Sequence, residues 1–411
     1  MVGQANKPTV RQLAQSSRLW FFLIALVMIY PVFLQNFDSE VYSFGARFII
    51  NKISASTLYI GLTATGYVAG ITVFSLFGGY LFDKISPKGA VLTGLTIFSV
   101  FSALSGQASS ALELVIFRIL DGIGVSIFQV SIASYLGDLF PVTRGRMLSL
   151  YILLGGLGLF AGPFLVEPFT GNIQIPFAMA GILGFIGVLL FLLVIPNKFR
   201  EDADLETHKF SLAALKERNV LLASISVIFF GVALFAEVSY MPVYVSTILN
   251  FTTFESTFSI SAFGLGAFFL AIPFGFLSDK IGRKPLLILF ASIQIMAGLV
   301  LFGTRPDFAV TTIMNFLYGA GWGIYFMNLV AIVQDSVPES MVGISVGLIY
   351  TTFNIGAIFG GPLMGSLISI SWTLAGLVSI AGVSVLTLVF ILPMNRSRFK
   401  QIAQAEQATG K

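Results

Sequence analysis

Twelve runs of mostly apolar residues constrain this 411-residue chain more than any other feature. Each is near or above the ~20 residues that an α-helix needs to cross ~30 Å of hydrocarbon. They lie at about 18–48, 56–81, 89–108, 112–137, 147–168 and 172–195, then at about 219–249, 256–278, 285–303, 308–334, 341–369 and 372–393. Charged residues make up only 10% of the chain, against about 25% in a typical soluble domain, which leaves too little polar surface for water. An outer-membrane barrel would show alternating segments of about ten residues instead of unbroken runs. The expected fold class is an all-α polytopic membrane protein.

The placement of the cations predicts the topology. An even number of spans puts both ends of the chain on one side. With the N-terminus in the cytoplasm, only Arg47, Lys52 and Arg305 face outward and Arg118 falls inside a span, which leaves nineteen of the 23 Lys and Arg inside. The positive-inside rule therefore predicts cytoplasmic termini, in a plasma (cell) membrane protein. The net charge of +4 is then a matter of topology, and no nucleic-acid partner is implied. The sequence has no cysteine, so thiol chemistry is excluded, and its one histidine, His208, lies in a charged hydrophilic stretch. The segment from Leu19 onward has no short apolar region with a small-residue cleavage site, and reads as a retained helix.

The chain also repeats itself. Gly275-x-x-x-Asp279-Lys280-x-Gly282-Arg283-Lys284 has an earlier, weaker copy in Gly79-x-x-x-Asp83-Lys84-x-Ser86-Pro87-Lys88, 196 residues before it. The run Phe117 to Gly124 aligns with Met314 to Gly321, Asp138 with Asp335, and Glu40-Val41 with Glu237-Val238, all at an offset of 197. Gly162-Pro163 aligns with Gly361-Pro362 at 199. One offset held by several independent landmarks predicts two homologous halves. The expected division is an N-terminal tail (1–17), a first six-helix bundle (18–197), a linker of mixed charge (198–218), a second six-helix bundle (219–393) and a C-terminal tail (394–411).

With these landmarks the whole chain resembles the major facilitator superfamily. The second copy of the loop motif matches the family pattern at every position, whereas the first departs at Ser86 and Pro87. Arg118-x-x-x-Gly122-x-Gly124 resembles the family's fourth-helix motif. Gly158-x-x-x-Gly162-Pro163 resembles part of its fifth-helix antiporter motif, which here continues into Val166 and Glu167 rather than two glycines. The resemblance implies a secondary transporter working by alternating access, with two bundles rocking about a site lined by helices 1, 4, 7 and 10. It also implies a conformational latch at the loop motif, carried by Gly79, Asp83, Lys84, Gly275, Asp279, Lys280, Gly282, Arg283 and Lys284. A tight charged turn that serves topology alone is the plainer alternative.

An ionisable residue at the membrane midplane costs roughly 2.5–3.5 kcal/mol on insertion scales, so each such residue needs a partner or a purpose. The candidates for a solute and proton pathway are Asp38 and Glu40 in helix 1, Arg118, Asp121 and Gln129 in helix 4, Glu237 and Tyr240 in helix 7, and Asn315, Tyr318, Trp322 and Tyr325 in helix 10. Helical spacing places Asp38 and Tyr42 on one face of helix 1 and Asn36 and Glu40 on another. For each acid a hydrogen bond between helices is the competing role, and for the aromatic stripe it is packing. A carboxylate facing a movable Arg can load and release a proton. Acids outnumber bases in this set and aromatics are plentiful, which favours a neutral or cationic amphipathic solute. The resemblance to the fifth-helix antiporter motif leans toward its efflux by proton antiport. Proton-coupled uptake of a sugar or organic acid is the alternative. No enzyme motif, ATP-binding loop, metal-ligand cluster or cofactor site is present in the sequence, and a monomer is expected.

Overall fold

The computed structural model describes residues 16–85, 87–139, 144–169, 171–196, 215–337 and 342–395. The linker expected at 198–218 lies almost wholly outside them, as do the two tails apart from Ser16–Ser17 and Met394–Asn395. Among the described residues the chain forms twelve long helical segments and no strand. In the first half these are α1 (Arg18–Lys52), α2 (Leu58–Ile85), α3 (Pro87–Ser105), α4 (Ala111–Leu139), α5 (Arg144–Val166) and α6 (Gln174–Val194). In the second half they are α7 (Arg218–Thr247), α8 (Thr253–Ile281), α9 (Arg283–Gly303), α10 (Phe308–Gln334), α11 (Val342–Ile368) and α12 (Trp372–Ile391). Nine are long and apolar enough to cross a membrane, and shorter apolar helices cover Leu58–Phe74 and Leu153–Phe169.

Local chemistry sets the helix ends, and it repeats between halves. The Ser110 hydroxyl accepts from the Glu113 N–H at the start of α4, and Asp307 accepts from the Val310 N–H at the start of α10, 197 residues on. A full capping box of Thr252 and Glu255 begins α8. The turns after α1 and α7 each contain a non-glycine residue in the left-handed region, Ser54 and Asn250, 196 residues apart. Pro31, Pro163, Pro242, Pro273 and Pro362 all lie inside continuous helices. Membrane helices tolerate such breaks because neighbouring groups re-satisfy the freed carbonyls.

The chain divides into two compact units, Met1–Tyr59 with Gly66–Thr207, and Ile60–Thr65 with His208–Lys411. Within each unit glycine sets the closest helix crossings. In the first, a methyl group on Gly122 of α4 would overlap the Tyr67 carbonyl oxygen of α2, and one on Gly70 of α2 would overlap that of Ile119. In the second, Gly319 of α10 meets the Phe263 carbonyl of α8, and Gly266 meets that of Phe316. Gly158 and Gly162 of α5 press on Phe33 and Glu40 of α1 in the same way. Gly356 and Gly360 of α11 press on Ile228 and Val232 of α7. Small residues at crossings let backbones approach, which is how membrane helices gain dispersion energy without a hydrophobic drive between them. The glycines of the fourth- and fifth-helix motifs are therefore packing surfaces.

Candidate functional site

The close α2–α4 crossing at Gly122 frames the most polar cluster in the first unit. Arg118 of α4 is 1% exposed and donates through Nη1 to Asp38 Oδ2 of α1 and to Asp121 Oδ2 of its own helix, both at 2.6 Å. Asp38 accepts a further bond from Ser102 Oγ of α3 at 2.5 Å. The guanidinium carbon also lies 4.4 Å from the ring centre of Tyr67 and 4.9 Å from that of Tyr42, within cation–π range. Four helices thus converge on one cation. Asp38, Arg118 and Asp121, chosen separately from the sequence, form a single group, and both carboxylates are fully buried. Glu40 is buried too, at the α1–α5 crossing beside Gly162.

Two carboxylates share one guanidinium in this group. With both ionised the group carries one net negative charge, and a single proton makes it neutral. Arg118 is enclosed by its two acids and two rings, so an anionic solute would have to displace Asp38 or Asp121 to reach its Nη1. Gln129 lies about two turns further along α4, partly exposed and away from this group.

The second unit places its candidates differently. Glu237 of α7 is 3% exposed and has no hydrogen-bond or ion-pair partner among the described residues. Tyr318 of α10 is close enough to interact with its charge, and the Tyr318 hydroxyl is buried without a hydrogen-bond partner. Asn315 donates to the Ser259 carbonyl of α8 at 3.0 Å, a cross-link between helices, with its own oxygen unpartnered. Tyr325 stacks on Phe230 of α7 with centroids 4.2 Å apart, and its hydroxyl lies 2.6 Å from Ser226 Oγ. Trp322 packs against Phe263, and Tyr240 is buried with its ring edge-on to Trp372. Glu237 and the Tyr318 hydroxyl are therefore buried polar groups without a hydrogen-bond partner among the described residues, whereas Tyr325 and Asn315 hold α10 to its neighbours. An apolar groove of about 440 Å³ between α7, α11 and α12, lined by Phe229, Phe359 and Pro362 among others, contains none of the candidates.

At the loop motif, Gly79, Asp83 and Lys84 fall within α2 and Gly275 and Asp279 within α8, but beyond their backbone they lie outside the described residues. Gly282 adopts φ +92°, a left-handed conformation that favours glycine, and its N–H caps α8 by donating to the Ser278 carbonyl. Lys280 is exposed. Arg283 pairs with Asp335 at the end of α10 at 3.1 Å. Lys284 donates to the Leu392 and Met394 carbonyls beyond the end of α12, at 2.7 and 2.8 Å. Lys88, its counterpart 196 residues earlier, donates to the Leu192 and Ile195 carbonyls at the end of α6, at 3.1 and 2.5 Å. Tyr67 was not among the residues picked out from the sequence, and Lys88 entered only as the last residue of the first loop-motif copy. Tyr67 carries no charge to draw attention, and only the helix pairing reveals it. Among the described residues no group of three or more His, Cys, Asp or Glu is arranged to hold a metal.

Comparison with known proteins agrees with this architecture. The sequence profile described as Major Facilitator Superfamily matches residues 19–361. An uncharacterised MFS-type transporter, YfkF, of Bacillus subtilis is 27% identical over 370 residues, covering 85% of this chain and 88% of the relative. The hexuronate transporter of the same organism is 25% identical over 84% of this chain and 87% of its own, and its multidrug transporter protein MdtP is 23% identical over 84% and 75%. Among solved structures, a D-xylose–proton symporter superposes with a TM-score of 0.76 at 16% identity, covering 91% of this chain and 97% of its own. The nucleoside transporter NupG superposes with a TM-score of 0.73 at 15% identity, covering 90% and 99%.

Proposed function

On the premise that this chain belongs to the major facilitator superfamily, and so is an integral membrane transporter of small solutes and not an enzyme, we propose that it is a proton-coupled antiporter that expels a neutral or cationic amphipathic compound. The observation that carries this reading is the Asp38–Arg118–Asp121 group, two buried acids on one base with room for one proton. Proton uptake neutralises the group and proton release restores its charge, so its hold on Arg118 is weakened and restored once in each cycle. Such a change can bias a two-state bundle only through a difference in interaction energy between the states, and this group supplies one. Glu237 provides the complementary element, a buried carboxylate beside a buried tyrosine hydroxyl and among aromatic rings. A lipophilic cation would find there both a counter-charge and ring faces. The cytoplasmic termini, the latch at Asp83 and Asp279, and the division at the 198–218 linker belong to the same proposal.

Uptake symport is the second reading. It is favoured by the hexuronate transporter among the relatives and the D-xylose–proton symporter among the structural neighbours. The enclosure of Arg118 weighs against an anionic solute, because among the described residues no other arginine is buried within a helix.

Proteoliposomes under an imposed pH gradient test the choice, with ethidium, tetraphenylphosphonium, D-xylose and D-glucuronate as solutes. Antiport predicts that ethidium or tetraphenylphosphonium moves against the proton flow, that Asp38→Asn abolishes the proton movement, and that Glu237→Gln weakens cation transport. Co-directional movement of xylose or glucuronate with protons would replace this reading with symport. Solute movement indifferent to the gradient would remove proton coupling altogether.

A further inference from the structure

We propose that Tyr67 of α2 is a positioning residue for the Asp38–Arg118–Asp121 proton site, so that this site is built from four helices and has a neutral hydroxyl as a working member. The inference rests on the proton-site reading above and extends it to a residue outside the helices expected to line the pathway. Three observations carry it. The Tyr67 ring is the nearer of the two that cover the guanidinium, at 4.4 Å against 4.9 Å for Tyr42. The Tyr67 side chain is 6% exposed, and its hydroxyl is buried with no hydrogen-bond partner among the described residues. Arg118 Nε and Asp121 Oδ1, in the same cluster, are also buried and unpartnered.

The backbone explains how the ring gets there. Gly122 follows Asp121 directly, and the Tyr67 carbonyl lies where a Cβ at Gly122 would be, so only glycine lets α2 approach this closely. The first unit thereby acquires a neutral donor and acceptor close enough to Asp121, Arg118 and Asp38 to interact with their charges. The second unit lacks it: the position 196 residues on is Phe263, packed against Tyr318 at the same kind of glycine crossing. The charged or titratable groups facing this site are Asp38 and Tyr42 from α1, Tyr67 from α2, and Arg118 and Asp121 from α4. From α3 it receives Ser102, which is neutral.

The geometry separates two roles, and two variants test them. Tyr67→Phe keeps the ring over Arg118 and removes the hydroxyl. Tyr67→Leu removes both. The first measurement is infrared titration of the buried carboxyl band in lipid-reconstituted protein, identified by its loss in Asp38→Asn and Asp121→Asn. The second is the pH profile of proton-linked transport. Tyr67→Phe should displace the carboxyl midpoint by about half a pH unit or more and move the transport profile with it, at unchanged KM. Tyr67→Leu should lower turnover at least about tenfold beyond any loss of folded protein, with Phe restoring most of it. A carboxyl midpoint identical in Tyr67→Phe and the parent protein would overturn the proposal. A displaced midpoint in a protein that moves no protons would leave Tyr67 as a positioning residue and overturn the proton-coupled reading instead.

Discussion

The two halves share a backbone plan and differ in chemistry at the same positions. At an offset of 197, Arg118 corresponds to Asn315, Asp121 to Tyr318 and Asp38 to Phe235. One half therefore places an ionic group where the other places amide, phenol and phenyl groups. Tyr67 and Phe263, at an offset of 196, continue the pattern. Glu40 and Glu237 are an acidic pair that both halves keep, yet Glu40 sits at a tight α1–α5 crossing and Glu237 lies close enough to Tyr318 to interact with it. The glycine crossings that set helix spacing are common to both halves, so the chemistry has diverged while the spacing has been kept. Duplication supplied the frame, and the side chains within it divide the work. On the proposed reading, proton binding falls to the first half, and apolar recognition beside the acid Glu237 falls to the second.

The sharpest way to break this contrast is to remove its centre. Arg118→Met leaves Asp38 and Asp121 buried side by side without their cation, and should cost about 3–5 kcal/mol, the usual effect of stripping one partner from a buried ionic group. Asn315→Leu, its counterpart, forfeits one bond to the Ser259 carbonyl, for about 1 kcal/mol. Thermal unfolding in detergent should show the first variant far below the second. Equal losses would mean that the ionic group is no more central to the fold than an ordinary helix cross-link.

A smaller effect should be common to both halves. Gly122→Ala and Gly319→Ala each drive a methyl group into a carbonyl oxygen of the facing helix. Overpacking of that kind costs typically about 1–3 kcal/mol, and the two melting temperatures should fall together. On the proposed reading transport should separate them. Gly122→Ala displaces the Tyr67 backbone beside the Asp38–Arg118–Asp121 group and should shift the pH profile. Gly319→Ala displaces Phe263, which packs on Tyr318, and should leave that profile in place. Matched stabilities with matched transport would erase the functional distinction.

How far the sequence discloses this design depends on which kind of contact is asked for. The helices were legible because hydropathy and length are local properties, and the two-fold plan because one offset recurs. Asp38, Arg118 and Asp121 stood out because a charge in an apolar run is costly wherever it sits. What spacing could not supply was pairing. Nothing local says that Asp38 reaches across to α4, or that Tyr67 arrives from α2 at a crossing only glycine permits. Tyr325 illustrates the converse. Its spacing put it on the same stripe as Tyr318 and Trp322, but its ring is spent on Phe230 and its hydroxyl on Ser226. The basic turn was legible as a motif, yet the reach of Lys88 and Lys284 back to the last helix of each half depends on where α6 and α12 end.

Those lysines offer a test of what the halves have in common. Each ammonium donates to two carbonyls at a helix end where no intrahelical N–H is left to donate to them and where the dipole is negative. Lys88→Met and Lys284→Met should each cost about 1 kcal/mol. Hydrogen exchange should quicken at the ends of α6 and α12 respectively, with arginine restoring much of the protection. Exchange unchanged in either variant would show that the repeated lysine is a charge for topology alone.

The smallest expected effect tests the aromatic half from within. Tyr325→Phe keeps the 4.2 Å stack on Phe230 and removes only the hydroxyl bonded to Ser226. Ser226 retains its own bond to the Thr387 carbonyl at 3.0 Å, so it is not left unsatisfied by the change. The loss should be at the lower end of the about 0.5–1.5 kcal/mol typical of one hydrogen bond, and transport of ethidium should be unaffected. Glu237→Gln, which alters no stacking, should do the reverse, leaving stability nearly unchanged while weakening cation transport. If Tyr325→Phe instead impaired ethidium transport at full stability, the phenol would be a contact for solute. Recognition in the second half would then extend along α10 beyond Tyr318, and the division between binding and packing drawn here for that helix would have to move.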